Sequence, residues 1–238
     1  MTGTGYIEPA NTLRRSSLAY DIIKERLLEG QWAAGEHISI AALKTELGVS
    51  KQPIMDAVRR LSAEGLVDVI PQVGCRVPVF TMDETVDFFN IFASLEAEAT
   101  AVAARRRTGE QVDALLLLNQ KIRGLADISD PIGRIHGYLM FNRRFHRVIL
   151  EMSHSSVVLR LSSRMWDVCD LLINTQGRSR PLADEIIERH GDHERIISAL
   201  SEVDVGVARA EMHAHITRNI AMLEKSQVSR EGSTFPSR

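Results

Sequence analysis

Three histidines stand in settings where chemistry can happen: His146 in "FNRRFHRVIL", His193 in "DHERIISAL" and His215 in "EMHAHITRNI". Each sits at helical spacing beside apolar neighbours, so each can project from its own helix into a shared interior. Three imidazoles converging in this way suit a divalent transition metal and leave positions for water or a carboxylate. Asn142, four residues before His146, lies one turn away on the same helix face. Taken singly, each histidine reads as a satisfied core residue or an exposed one. The other histidines considered, His136, His154, His190 and His213, read as surface or helix-end residues.

A metal held by three histidines can serve binding or catalysis. A hydrolase would use it to activate water and would need a base, for which Glu96, Glu194 or Glu211 are the carboxylates to consider. No HExxH motif or nucleophile elbow supports that choice. The second chemical feature lies near the other end of the chain, in "LGVSKQPIMDAVRRLSAEGLVDV", residues 47–69. It combines a helix start, a basic face, an apolar stripe and a glycine break.

The elements that position these features follow from periodicity. Leu18, Ile22, Ile23, Leu27 and Leu28 predict a helix that ends at Gly30. "AAGEHIS" reads as a turn. Ser39 caps a short helix with Ile40, Leu43 and Leu47, and Ser50 is placed to cap a third with Pro53 in its first turn. Ile54, Val58 and Leu61 form that helix's apolar face. "LVDVI" and "CRVPVF" then alternate as two strands around the turn residues "PQVG". From residue 81 onward the pattern is helical throughout. Thr108 with Gln111 predicts a capping box, Asp130–Pro131 opens a further helix, Ser155 another, Pro181 precedes the next, and Asp204 begins one ending near Lys225.

Composition sets outer limits. The chain has 238 residues and a formal net charge of −2, which argues against a surface coated for nucleic acid yet leaves room for a local basic patch. The two cysteines, Cys75 and Cys169, form no CxxC pair, so neither a disulfide framework nor a zinc ribbon is indicated, and a reducing cytoplasm fits. No run of 18 apolar residues exists, so no membrane partner is expected. The expected fold is mainly α: an N-terminal winged helix-turn-helix joined to a C-terminal all-α antiparallel helical bundle. Its boundaries are read as a flexible arm at 1–15, a winged domain at 16–80, a helical domain at 81–225, and a disordered tail at 226–238.

The order from the "AAGE" turn through "LGVSKQPIMDAVRRLSAEGLV" resembles the DNA-binding domain of GntR-family transcription regulators, over roughly residues 16–80. The resemblance implies that a recognition helix and a wing meet double-stranded DNA through Lys44, Ser50, Lys51, Gln52, Met55, Arg59, Arg60, Gly74 and Arg76. Two of these depart from the family pattern. Lys51 and Met55 stand where arginines are usual, and a methionine cannot make a bidentate contact to guanine, so the operator should differ from the family's usual one. Val73, just before Gly74, replaces the polar or basic wing residue.

Residues 83–225 resemble the FadR-type ligand-binding domain, FCD. That resemblance implies a metal site at Asn142, His146, His193 and His215, with Asn142 in the position of an aspartate. The imidazole-rich set implies zinc or nickel. It also implies a small-molecule effector, a carboxylate among the candidates. Phe92 stands where the family carries an arginine for that carboxylate, which leaves Arg143 and Arg164 as replacement cations. The function expected on these grounds is a ligand-responsive regulator that binds a palindromic operator as a homodimer.

Overall fold

The computed structural model describes residues 9–175 and 185–231. The chain divides into two compact units, one running to Val79 and taking in the stretch from Asp170, the other holding the rest from Phe80.

In the first unit, α1 (Pro9–Leu28), α2 (Ile40–Leu47) and α3 (Lys51–Ala63) carry the helical part. The α3 stripe of Ile54, Val58 and Leu61 is fully buried, and Ile23 and Leu27 of α1 are buried likewise where the two helices pack. Truncating such a residue costs about 2–5 kcal/mol through lost transfer energy and a cavity. Ser39 caps α2 by accepting from the Ala42 amide. Ser50 stands at the N-cap of α3 with extended backbone but makes no capping hydrogen bond, contrary to the expectation.

The wing is larger than the sequence suggests. β2 (Asp68–Ile70) and β3 (Gly74–Arg76) form the expected hairpin, with Ile70 opposite Gly74. β1 (His37–Ile38), inside the stretch read as a turn, pairs antiparallel with β3 on its other side, so the order is β1-β3-β2. Two residues are too few to display a strand's alternation. At the tip, Gln72 takes φ 63° and Gly74 φ 141°, a conformation that a side chain at position 74 would resist.

The second unit is a helical bundle. α4 (Met82–Arg106) opens with a capping box between Thr81 and Glu84, and α5 (Gly109–Gly124) with one between Thr108 and Gln111. A 3-10 turn at Leu125–Asp127 leads to α6 (Pro131–Met152), whose first amides are held by Asp130. α7 (Ser156–Thr175) as far as Cys169, α8 (Ile186–Ser201) and α9 (Val205–Glu231) complete it. α4 packs along α9, α5 against α6 and α8, and α8 against α9. Helix α1 begins at Pro9, within the stretch read as an arm, and α9 continues past 225 into the stretch read as a tail. Pro9 suits a first helical position because its missing N–H has no intrahelical partner to lose. Pro181 and the remaining arm and tail residues lie outside the described residues. Among the described residues, no helix is long and apolar enough to cross a membrane.

Candidate metal centre and DNA-reading face

His146 projects from α6, His193 from α8 and His215 from α9, and all three are buried. Their candidate ligand atoms lie within 4.8 Å of one another, and the Nε2 atoms of His146 and His215 are 3.2 Å apart. Two nitrogens bound tetrahedrally to one zinc ion are separated by about 3.3 Å, so this pair already has a ligand spacing. His146 Nδ1 and both ring nitrogens of His193 are buried and have no hydrogen-bond partner among the described residues. Buried polar atoms are rarely left so, and here several share one cluster. The residues present therefore fit a divalent ion.

Electrostatics favour the ligand form. Burial, reinforced by His215 and nearby arginines, holds His146 and His193 well below the ordinary histidine range. His215 is pushed down to about 4, chiefly by burial, although its hydrogen bond to Asp192 opposes the shift. Each of these shifts favours the neutral imidazole that metal ligation requires. Asp192 Oδ2 lies 3.0 Å from His215 Nδ1, while Arg195 and Arg218 reach its other oxygen. Burial pushes the Asp192 carboxyl up, but the His215 and Arg218 contacts outweigh it and hold it well below the usual carboxylate range.

Asn142 is buried one turn before His146, and its Oδ1 accepts from Tyr138 Oη at 3.3 Å. Phe92 is fully buried, edge-on to Trp166 with centroids 5.1 Å apart, and Trp166 in turn lies 4.2 Å from the His146 ring. Phe92 is thus part of an aromatic wall that reaches the histidines. Arg143 is engaged, donating to Asp167 Oδ1 at 3.2 Å and to the Trp166 carbonyl at 3.1 Å. Arg164 is exposed on α7. Sequence reasoning missed Arg189, a fully buried arginine that donates to the His215 carbonyl and to Glu185. Its position one turn before His193 was the available signal. Of the carboxylates considered as bases, Glu96 is buried and bonded to Ser162, Glu194 lies 3.6 Å from His190, and Glu211 accepts from Arg195.

On α3, Lys51, Gln52, Arg59 and Arg60 are exposed and Met55 is half-buried. Two of these polar side chains converge on an acid: Gln52 donates to Asp56 at 2.9 Å and Arg59 at 2.7 Å. Arg60 lies over the Tyr20 ring, 3.9 Å from its centroid, and Tyr20 donates to Glu64 at 2.7 Å. Arg76 on the wing is tied to Asp68 at 3.3 Å. Lys44 is exposed on α2, Gly74 opens β3, and Val73 is exposed at the wing tip.

A helix-turn-helix with a wing, joined to a helical bundle, is the build of a bacterial transcription regulator. Comparison with protein families gives the membership: residues 15–77 match the gntR family of bacterial regulatory proteins and residues 87–218 match the FCD domain. The chain belongs to the GntR family of transcription regulators and carries an FCD domain. It is 23% identical over 209 residues to the HTH-type transcriptional repressor GlaR of Escherichia coli strain K12, covering 87% of this chain and 94% of that one. It is 24% identical over 187 residues to the Nta operon transcriptional regulator of Aminobacter aminovorans, covering 78% and 83%. Among solved structures, E. coli McbR/YncC superposes with a TM-score of 0.77 at 20% identity, over 90% of this chain and 98% of that one. A GntR regulator from Rhodococcus sp. RHA1 does so at 0.70 and 16%, over 90% and 99%. The relatives and the matched families are transcription regulators, not enzymes, which speaks against the hydrolase alternative.

Proposed function

We propose that this regulator binds a palindromic operator as a homodimer in the cytoplasm, and that its FCD domain senses a small carboxylate beside a divalent metal. The supporting observation is the buried trio His146, His193 and His215, with a 3.2 Å Nε2–Nε2 separation and unpartnered ring nitrogens. A zinc or nickel ion there supplies positive charge and open coordination positions to an anionic effector. The chain contributes the rest. The imidazoles hold the centre in neutral form, Asn142 offers a weaker amide oxygen, and Phe92 with Trp166 walls the site against water. Lys51, Gln52 and Arg59 on α3 face solvent for DNA, with Lys44, Ser50, Met55, Gly74 and Arg76 in the proposed interface. Effector binding alters operator affinity only insofar as the effector prefers one of two states of the dimer.

The test is selection of a randomised duplex pool by the purified protein, followed by titration of the selected duplex with and without zinc and small carboxylates. A palindromic motif with fixed half-site spacing, whose affinity shifts when a carboxylate is added to the zinc-loaded protein, is the expected result. An asymmetric single half-site, or an operator affinity indifferent to both metal and acids, overturns the reading.

A further inference from the structure

The proposed ligand set carries no negative charge. His146, His193 and His215 bring imidazoles, and Asn142 offers an amide where an aspartate would bring a carboxylate. One buried carboxylate nonetheless reaches the set: Asp192, 3% exposed, with Oδ2 3.0 Å from His215 Nδ1. A carboxylate only accepts, so Nδ1 of His215 bears the proton and its Nε2 lone pair faces His146 Nε2 at 3.2 Å.

The arrangement is one-sided. Arg195 and Arg218 both bind Oδ1 of Asp192, which leaves Oδ2 to the imidazole. Among the described residues, His146 Nδ1 and both nitrogens of His193 have no hydrogen-bond partner. Of the three rings, His215 is the one whose outer nitrogen is fixed by a carboxylate before any ion arrives. Such an acceptor sets the tautomer and orientation of a ligating imidazole and makes its other nitrogen a stronger donor.

We propose that Asp192 is the positioning residue of this centre, supplying through His215, one hydrogen bond further out, the negative charge that Asn142 does not bring. The inference rests on the metal reading given above. Asp192 makes His215 the anchor of the site, and His146 and His193 complete it. Its influence should be largest while position 142 is neutral, and should shrink once a carboxylate stands there.

Zinc affinity is measured by competition with a chromophoric chelator for the full-length protein, Asp192→Asn, Asn142→Asp and the double variant, at one pH. In parallel, nitrogen NMR shifts report the His215 tautomer in metal-free protein. The expected results are a loss of about 10–100-fold in zinc affinity for Asp192→Asn, and a clearly smaller loss for the same change in the Asn142→Asp background. The tautomer should move from Nδ1–H in the native chain to a mixture in the variant. Equal zinc affinity in Asp192→Asn and the native chain overturns the proposal, as does an equal loss in both backgrounds. If Asp192→Asn fails to fold, the native metal-free protein decides: His215 found as Nε2–H overturns the assignment. A native chain that takes up no zinc defeats the metal reading itself and shows as such, because the tautomer measurement needs no ion.

Discussion

Arg60 rests on the face of Tyr20, its guanidinium carbon 3.9 Å from the ring centroid, so one of the two adjacent arginines on α3 is directed at α1. Arg59 points elsewhere, to Asp56 at 2.7 Å. Neighbours in sequence thus have different work, one fastening helices together and one standing on the exposed face.

Arg60→Ala should therefore act on stability before DNA. Removing an exposed cation–π contact costs about 0.5–1 kcal/mol, visible in chemical denaturation. The salt dependence of operator binding should stay as it is. Lys51→Ala with Arg59→Ala should do the reverse, weakening operator binding and lowering the salt slope with little change in denaturation midpoint.

Asp56→Ala removes the acceptor shared by Gln52 and Arg59. Arg59 is then free to meet a phosphate, and the salt slope for unrelated duplex should steepen by about 1. Titration of a random-sequence duplex at several salt concentrations measures this directly.

The histidine centre predicts a stability effect of zinc. Binding to the folded state alone adds about 2.7 kcal/mol at a hundredfold excess over Kd, so the melting temperature should rise on zinc addition. In His146→Ala that rise should vanish, while the metal-free melting curve remains cooperative. Differential scanning calorimetry with and without zinc checks both.

Glu96 gives a pH dependence of opposite sense to an ordinary salt-bridged acid. Burial pushes its carboxyl up to about 7, against the hydrogen bond from Ser162. The unfolded chain loses this proton near 4.5 and the folded chain keeps it until about 7. Stability from this group therefore falls as pH rises through that window, by about 3 kcal/mol in total. Glu96→Gln should gain that amount relative to the native chain between pH 4.5 and 8, all other titrations being common to both. A constant difference across the window would place the Glu96 carboxyl at its ordinary value.

What could be read from the chain was local. Ser39, Thr108 with Gln111, and Asp130–Pro131 announce helix starts because a cap and the amides it satisfies lie within a few residues. The histidines were legible because helical spacing beside apolar residues says which face turns inward. Their outer partners were not. Asp192 meets His215 from another helix, Arg143 finds Asp167 across 24 positions, and Tyr20 meets Arg60 across 40, pairings that only packing decides. β1 escaped for a different reason, since two residues hold no period. Ser50 shows that a capping residue in the right place need not cap.

The partners that accompany the arginines of the first unit have a consequence for how the protein finds its target. Asp56 holds Arg59, Asp68 holds Arg76, and Tyr20 holds Arg60. Non-specific attachment to a genome is a matter of free charge meeting phosphate, and this reader holds back Arg59 and Arg76 until a fitting base sequence competes for those side chains, with Lys44 and Lys51 left exposed. It should leave unrelated duplex quickly, sliding short distances and hopping often, so that few copies are sequestered away from the operator.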